Sequence, residues 1–133
     1  LTAQFDKSRH AAPNARITVV GYPAISARNG AVCPLRTSAP GSSEAGFNMD
    51  YAGLARTGED QVNSAMYKAA RANGVQYYDL RADSIDHGMC APDSTRWISG
   101  KWEYSVPHNL FNHLTHLGNR NVAQLLNSKV LAH

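Results

Sequence analysis

Two histidines stand three residues apart, His113 and His116, in FNHLTHLGNRNVAQLL (residues 111–126), just ahead of Gly118 and a helical pattern. An imidazole titrates near neutrality, so a histidine at a loop-to-helix junction suits general-base work. Such a base needs a nucleophile, and candidates for one are few. Ser84, Asp86 and His87 crowd together in ADSIDH. Members of a catalytic triad converge from separate loops, however, which argues against a local triad there. GSSEAG at 41–46 departs from the G-x-S-x-G elbow, because Ala45 stands where the second glycine is required. It reads instead as a flexible Ser/Gly loop. His87 and Cys90 make one ligand pair without an accompanying C-x-x-C, so zinc is poorly supported. Cys33 (AVCPLR) and Cys90 (DHGMCAPD) both lie in loop-like segments. They fit one disulfide in an oxidising compartment or two separate thiols.

The elements that must carry these residues follow from apolar patterning. LTAQFDKSRH (1–10) suits the tail of a helix, broken by AAPNA. RITVVGYP (16–23) is a β-branched run without alternation, as expected of a strand buried on both faces in a parallel sheet. Residues 24–50 turn rich in Gly, Ser, Pro, Ala and Arg and read as a long loop. Tyr51, Leu54, Val62, Met66, Ala69 and Ala70 recur at mostly helical spacing over 51–73, with Gly74 as C-cap. VQYYDL (75–80) is a second strand, 82–112 a second long loop with both tryptophans, and 117–132 an amphipathic helix carrying Val122, Leu125, Leu126 and Val130. Alternating helices and strands of this kind predict a parallel α/β sheet with helices on its faces. Two parallel strands do not make a stable sheet alone, so residues 1–133 read as part of one larger domain. Ligands in such sheets sit outside the carboxyl ends of the strands. Both long loops, and His113 and His116 with them, fall on that edge.

At 133 residues, with 43% apolar and 17% charged residues, the chain has the composition of one folded domain. No apolar run approaches the roughly 18 residues of a membrane span. The net charge of +3 is scattered along the chain, without a basic run interleaved with aromatics. Nucleic-acid binding is therefore not expected, while mild basicity is compatible with peripheral contact at an anionic lipid surface. The opening at Leu1, inside a helical pattern, is what a processed, nicked or trimmed product would show.

The segments APNARITVVGYP, GVQYYDLRADSIDHGMCAPDSTRWISG and HLTHLGNRNVAQLL, with the Cys33-Pro34 pair, resemble the C-terminal half of a secreted SGNH (GDSL-type) hydrolase, in its lipase, esterase and phospholipase branch. The matching blocks are Gly21-Tyr22-Pro23, Val75 to Asp79, His87 to Pro92 with Arg96-Trp97-Ile98 and Gly100, and His113 to Gly118. The resemblance covers almost the whole chain; its H-x-x-C-A-P…R-W stretch is the more specific part, and the histidine block alone is weak. It implies a three-layer α/β/α, flavodoxin-like domain with a parallel sheet. It also implies serine acyl-enzyme hydrolysis of a carboxylic ester or lipid, without metal or cofactor, outside the cell.

The family's catalytic histidine stands five residues before the block's glycine, which maps onto His113; His116 then reads as a flanking loop or helix-start residue. Leu114 departs from the usual proline, and Leu110 stands where many members carry an aspartate. The resemblance makes the Leu110 main-chain carbonyl the orienting group. It also implies a Cys33–Cys90 disulfide. The family's GDS serine and its oxyanion-hole Gly and Asn have no counterpart in this chain, so the expected partner is the N-terminal half of the same hydrolase as a separate chain. Phe47, Met49, Tyr51 and the tryptophan loop are candidates for an acyl pocket. The alternatives are a carbohydrate esterase (deacetylase) of the same fold, and a non-catalytic fragment or partner-binding subunit.

Overall fold

The computed structural model describes residues 2–33, 35–36, 53–100, 102–103 and 112–132. The β-branched run forms β1 (Thr18–Val20), which pairs in parallel with β3 (Gln76–Tyr78) in the register Thr18↔Gln76, Val19↔Tyr77, Val20↔Tyr78. Side chains alternate across a strand, so one face presents Ile17, Val19 and Tyr77, and the other Val20 and Tyr78. The first face packs on Phe5 of α1 (Thr2–Ala11) and Ala70 of α2 (Leu54–Ala72). The second packs on Leu80, Trp97 and Val122. Leu80 opens the short α3 (Leu80–Ser84), and Val122 lies in α4 (His116–Leu126), which runs on into a π-helical turn, Asn127–Leu131. The chain is a mixed α/β unit with helices on both faces of a two-stranded parallel sheet.

Three features differ from the patterning. Parts of the two stretches read as loops pair with each other: β2 (Leu35–Arg36) lies parallel to β4 (Trp102–Glu103) in a second two-stranded sheet. The second of these stretches also begins within α3. The third difference concerns α2, whose buried face is the expected apolar one only toward its C-terminal end, at Ala69 and Ala70. Leu54 and Val62 are 71% and 49% exposed, while Glu59 and Asn63 are buried with Ala70. Polar residues hold that face because they bond the neighbouring loop rather than fill a core.

Helix ends follow from local chemistry. α2 stops in a Schellman arrangement: Gly74 takes φ +61, its N–H reaches the Arg71 carbonyl at 3.2 Å, and the Val75 N–H reaches the Ala70 carbonyl at 2.9 Å. Val75 and Ala70 then pack in one apolar cluster with Phe5, so the cap seeds the core. The Arg9 guanidinium donates to the Asn73 carbonyl at the same terminus, where the helix dipole favours a cation.

Candidate active site

The loop leaving β1 runs extended across the carboxyl edge of the sheet, and alternate amides along it are taken by side chains. The Tyr22 N–H donates to Asn63 Oδ1 at 2.7 Å, the Ala24 N–H to Ser84 Oγ at 2.8 Å, and the Ser26 N–H to Glu59 Oε1 at 2.7 Å. Glu59 and Asn63 are four apart on α2, so one helix face supplies two of the three acceptors. Asn63 Nδ2 returns a bond to the Tyr22 carbonyl at 3.2 Å, and the Tyr77 hydroxyl donates to Asn63 Oδ1 at 3.1 Å. Arg81 supports Glu59 from behind, Nε to Oε2 at 3.4 Å, and pairs with Asp60 at 3.2 Å. A buried carboxylate needs such partners, since a lost one leaves a desolvated charge.

The second loop docks on the first, backbone against backbone. The Met89 N–H donates to the Ile25 carbonyl at 2.8 Å, and a Cβ on Gly88 would lie 2.6 Å from the Ser26 oxygen, a distance only glycine permits. Cys33 and Cys90 are joined in a disulfide, with Cα atoms 5.0 Å apart. The bridge lies beside Met89, Ile98 and Leu114 in one apolar cluster. At the mouth, Arg28 holds Asp86 through two bonds of 3.0 and 2.7 Å. That pair lowers the Asp86 carboxyl below the usual range and raises the Arg28 guanidinium. The pair lines, with Ala27, Ile85, Cys90 and Ala91, an open cavity of about 470 Å³.

From there the chain closes a compact turn. The His87 ring stacks on Trp97, centroids 4.2 Å apart with 2° between planes, and its Nδ1 lies 2.8 Å from the Thr95 carbonyl oxygen. Arg96 is buried with its guanidinium on Asp93 at 2.7 Å and on the Ile98 carbonyl at 3.0 Å. These bonds present residues 97–99 as an edge for the histidine block. Ile98 and Leu114 form an antiparallel bridge, with the Ser99 N–H on the His113 carbonyl at 2.9 Å and the Thr115 N–H on the Trp97 carbonyl at 2.7 Å. Thr115 caps α4, accepting from the Gly118 N–H at 3.0 Å and donating to the Arg96 carbonyl at 3.0 Å. A Cβ on Gly118 would lie 2.9 Å from the Trp97 Cα, which is why glycine fills that helical position.

His113 therefore lies on a fixed backbone with its side chain exposed, and His116 is the exposed first residue of α4. The structure brings His113 onto the edge that carries the Cys33–Cys90 bridge. It does not assemble Ser84, Asp86 and His87: Ser84 Oγ serves Ala24 and the Arg81 carbonyl, Asp86 serves Arg28, and Nδ1 of His87 meets Thr95. Leu110, Phe47, Met49, Tyr51 and GSSEAG lie outside the described residues. Among the described residues no group of three or more His, Cys, Asp or Glu side chains is placed to hold a metal ion. No helix among them is long and apolar enough to cross a membrane.

Patterning missed Glu59, Asn63 and Arg81. Glu59 and Asn63 leave a mark in the sequence, polar residues four apart that interrupt the apolar stripe of an amphipathic helix, whereas Arg81 on α3 leaves none. Compared with known proteins, the chain matches no family model and no curated protein.

Proposed function

We propose that this chain is the histidine-bearing part of a secreted ester hydrolase of the SGNH type, in which the β1–β3 pair belongs to a wider three-layer parallel sheet. The observation that carries the reading is His113: an exposed imidazole on a backbone locked by the 97–99 ladder, at the head of α4, beside two disulfide-joined loops on the carboxyl edge of parallel strands. β1 pairs with β3 alone among the described residues, and its other edge is where the serine-bearing N-terminal portion would add its strands.

In this mechanism His113 takes the proton from the serine Oγ as that oxygen attacks the ester carbonyl. It then gives the proton to the departing alcohol, leaving an acyl-enzyme. A water, deprotonated by the same imidazole, releases the acid. The Leu110 carbonyl is the proposed acceptor for the ring's other N–H. The disulfide suits an oxidising, extracellular setting.

A carbohydrate ester is the second reading of the substrate. What favours it is a cavity of about 350 Å³ between α2 and β3, walled by Tyr67, Tyr77, Asp60, Asp79 and Arg81, the aromatic and planar polar groups that suit a sugar.

Denaturing intact-mass analysis before and after a fluorophosphonate probe tests the proposal. A companion chain that gains the probe's mass supports a two-part serine hydrolase. A protein that never labels would leave the partner-binding alternative in its place.

A further inference from the structure

We infer that Ser99 is a positioning residue for His113, fixing the backbone from which the imidazole is presented; the inference rests on the hydrolase reading above. Ser99 is 1% exposed, so its hydroxyl is sealed from solvent and from any substrate. Its amide and its Oγ both donate to one acceptor, the His113 main-chain carbonyl, at 2.9 and 3.1 Å. A carbonyl oxygen offers two lone pairs, and the antiparallel ladder needs only the amide bond. The hydroxyl adds a second restraint at the residue that carries the proposed base.

The neighbours of His113 show why a second restraint matters. Asn112 takes a left-handed φ of +57, so the chain turns sharply into the ladder just before the histidine. After it, Leu114 packs on the disulfide cluster, and Thr115 is tied to both Trp97 and Arg96. Residues 114 and 115 are thus held by packing and bonds of their own. His113 follows a sharp turn, and its carbonyl is a point at which the ladder grips it. Proton transfer depends steeply on position, and a shift of about 1 Å at a reacting group can cost on the order of 10²-fold in rate. A buried hydroxyl that never meets substrate can therefore act on kcat through the histidine.

The test compares wild type with Ser99→Ala, and Ser99→Thr with Ser99→Val, a pair of near-equal shape that differs in the hydroxyl. Ser8→Ala, on the exposed face of α1, is the control. Two readouts are taken on the assembled hydrolase: turnover of p-nitrophenyl butyrate, and the ring resonances of His113. Loss of the hydroxyl is expected to lower kcat roughly 3- to 10-fold with KM unchanged, the range set by a net hydrogen bond. The His113 ring signals should shift and broaden, while Ser99→Thr stays closer to wild type than Ser99→Val. If Ser99→Ala does not fold, the Thr/Val comparison decides. Unchanged ring signals and unchanged kcat on hydroxyl loss, in an active wild type, overturn the inference alone. A wild type with no turnover overturns the hydrolase reading, and the inference falls with it.

Discussion

The two ends of the β1–β3 sheet are held by different physics. Around the start of β3, Phe5, Ala70 and Val75 are buried against Ile17, Val19 and Tyr77, and the cohesion is apolar contact. At the carboxyl end, the loop after β1 hangs on Asn63, Ser84 and Glu59, the second loop is stapled to it by Cys33–Cys90, and the histidine block hangs on residues 96–99. Apolar burial is non-directional and tolerates small shifts, whereas hydrogen bonds and a disulfide fix positions. The comparison teaches that the end needing geometry adds directional bonds and a disulfide to its apolar clusters, whereas the other end is held mainly by burial.

Perturbations at the two ends should therefore separate stability from activity. Phe5→Ala is expected to cost the most, about 3–5 kcal/mol in denaturant unfolding, while the activity of the remaining folded protein stays near wild type. Replacing Cys33 and Cys90 together by serine is expected to cost about 2–5 kcal/mol and to lower activity even below the unfolding transition, because the edge loses its staple. Glu59→Ala leaves the Ser26 amide and part of the Arg81 guanidinium without their acceptor, for about 2–4 kcal/mol. Gly118→Ala drives a methyl into the Trp97 backbone, and about 1–3 kcal/mol is expected, with a larger activity loss than its stability loss implies. If Gly118→Ala lowers stability and leaves activity alone, the split between the two ends is wrong.

The smallest effect is in the acid range. The Lys129 ammonium, and then the Tyr78 hydroxyl, hold the Asp83 carboxyl below its ordinary value of 3.8. Burial, and then Asp83 itself, push the Tyr78 hydroxyl up. A depressed folded-state value means the stabilisation is complete above the unfolded value, near pH 4. It drains away as pH falls through the lower folded one. Melting temperature followed from pH 6 to pH 2 should fall less steeply for Asp83→Asn than for wild type; parallel curves would remove Asp83 from the account.

Much of the element order was legible in the chain. The run RITVV, the cap Gly74 and the closing helix all announce themselves, because strand propensity and helix termination are local. Helices and parallel strands in alternation were legible for the same reason. The face of α2 was not, since Leu54 and Val62 fit an apolar stripe and only the tertiary loop contacts of Glu59 and Asn63 decide otherwise. The β2–β4 pair was hidden because each strand is two residues long and the pairing is remote. The choice of His113 over His116 rests on the family resemblance, and the ladder that fixes its backbone joins residues 14 apart and carries no local mark.

The most direct measurement of the central claim is ester turnover by the proposed two-part hydrolase with His113→Ala and, separately, His116→Ala. The account predicts a loss of about 10³-fold or more for His113→Ala and a change within a few-fold for His116→Ala. Full activity in His113→Ala, or loss confined to His116→Ala, would contradict it.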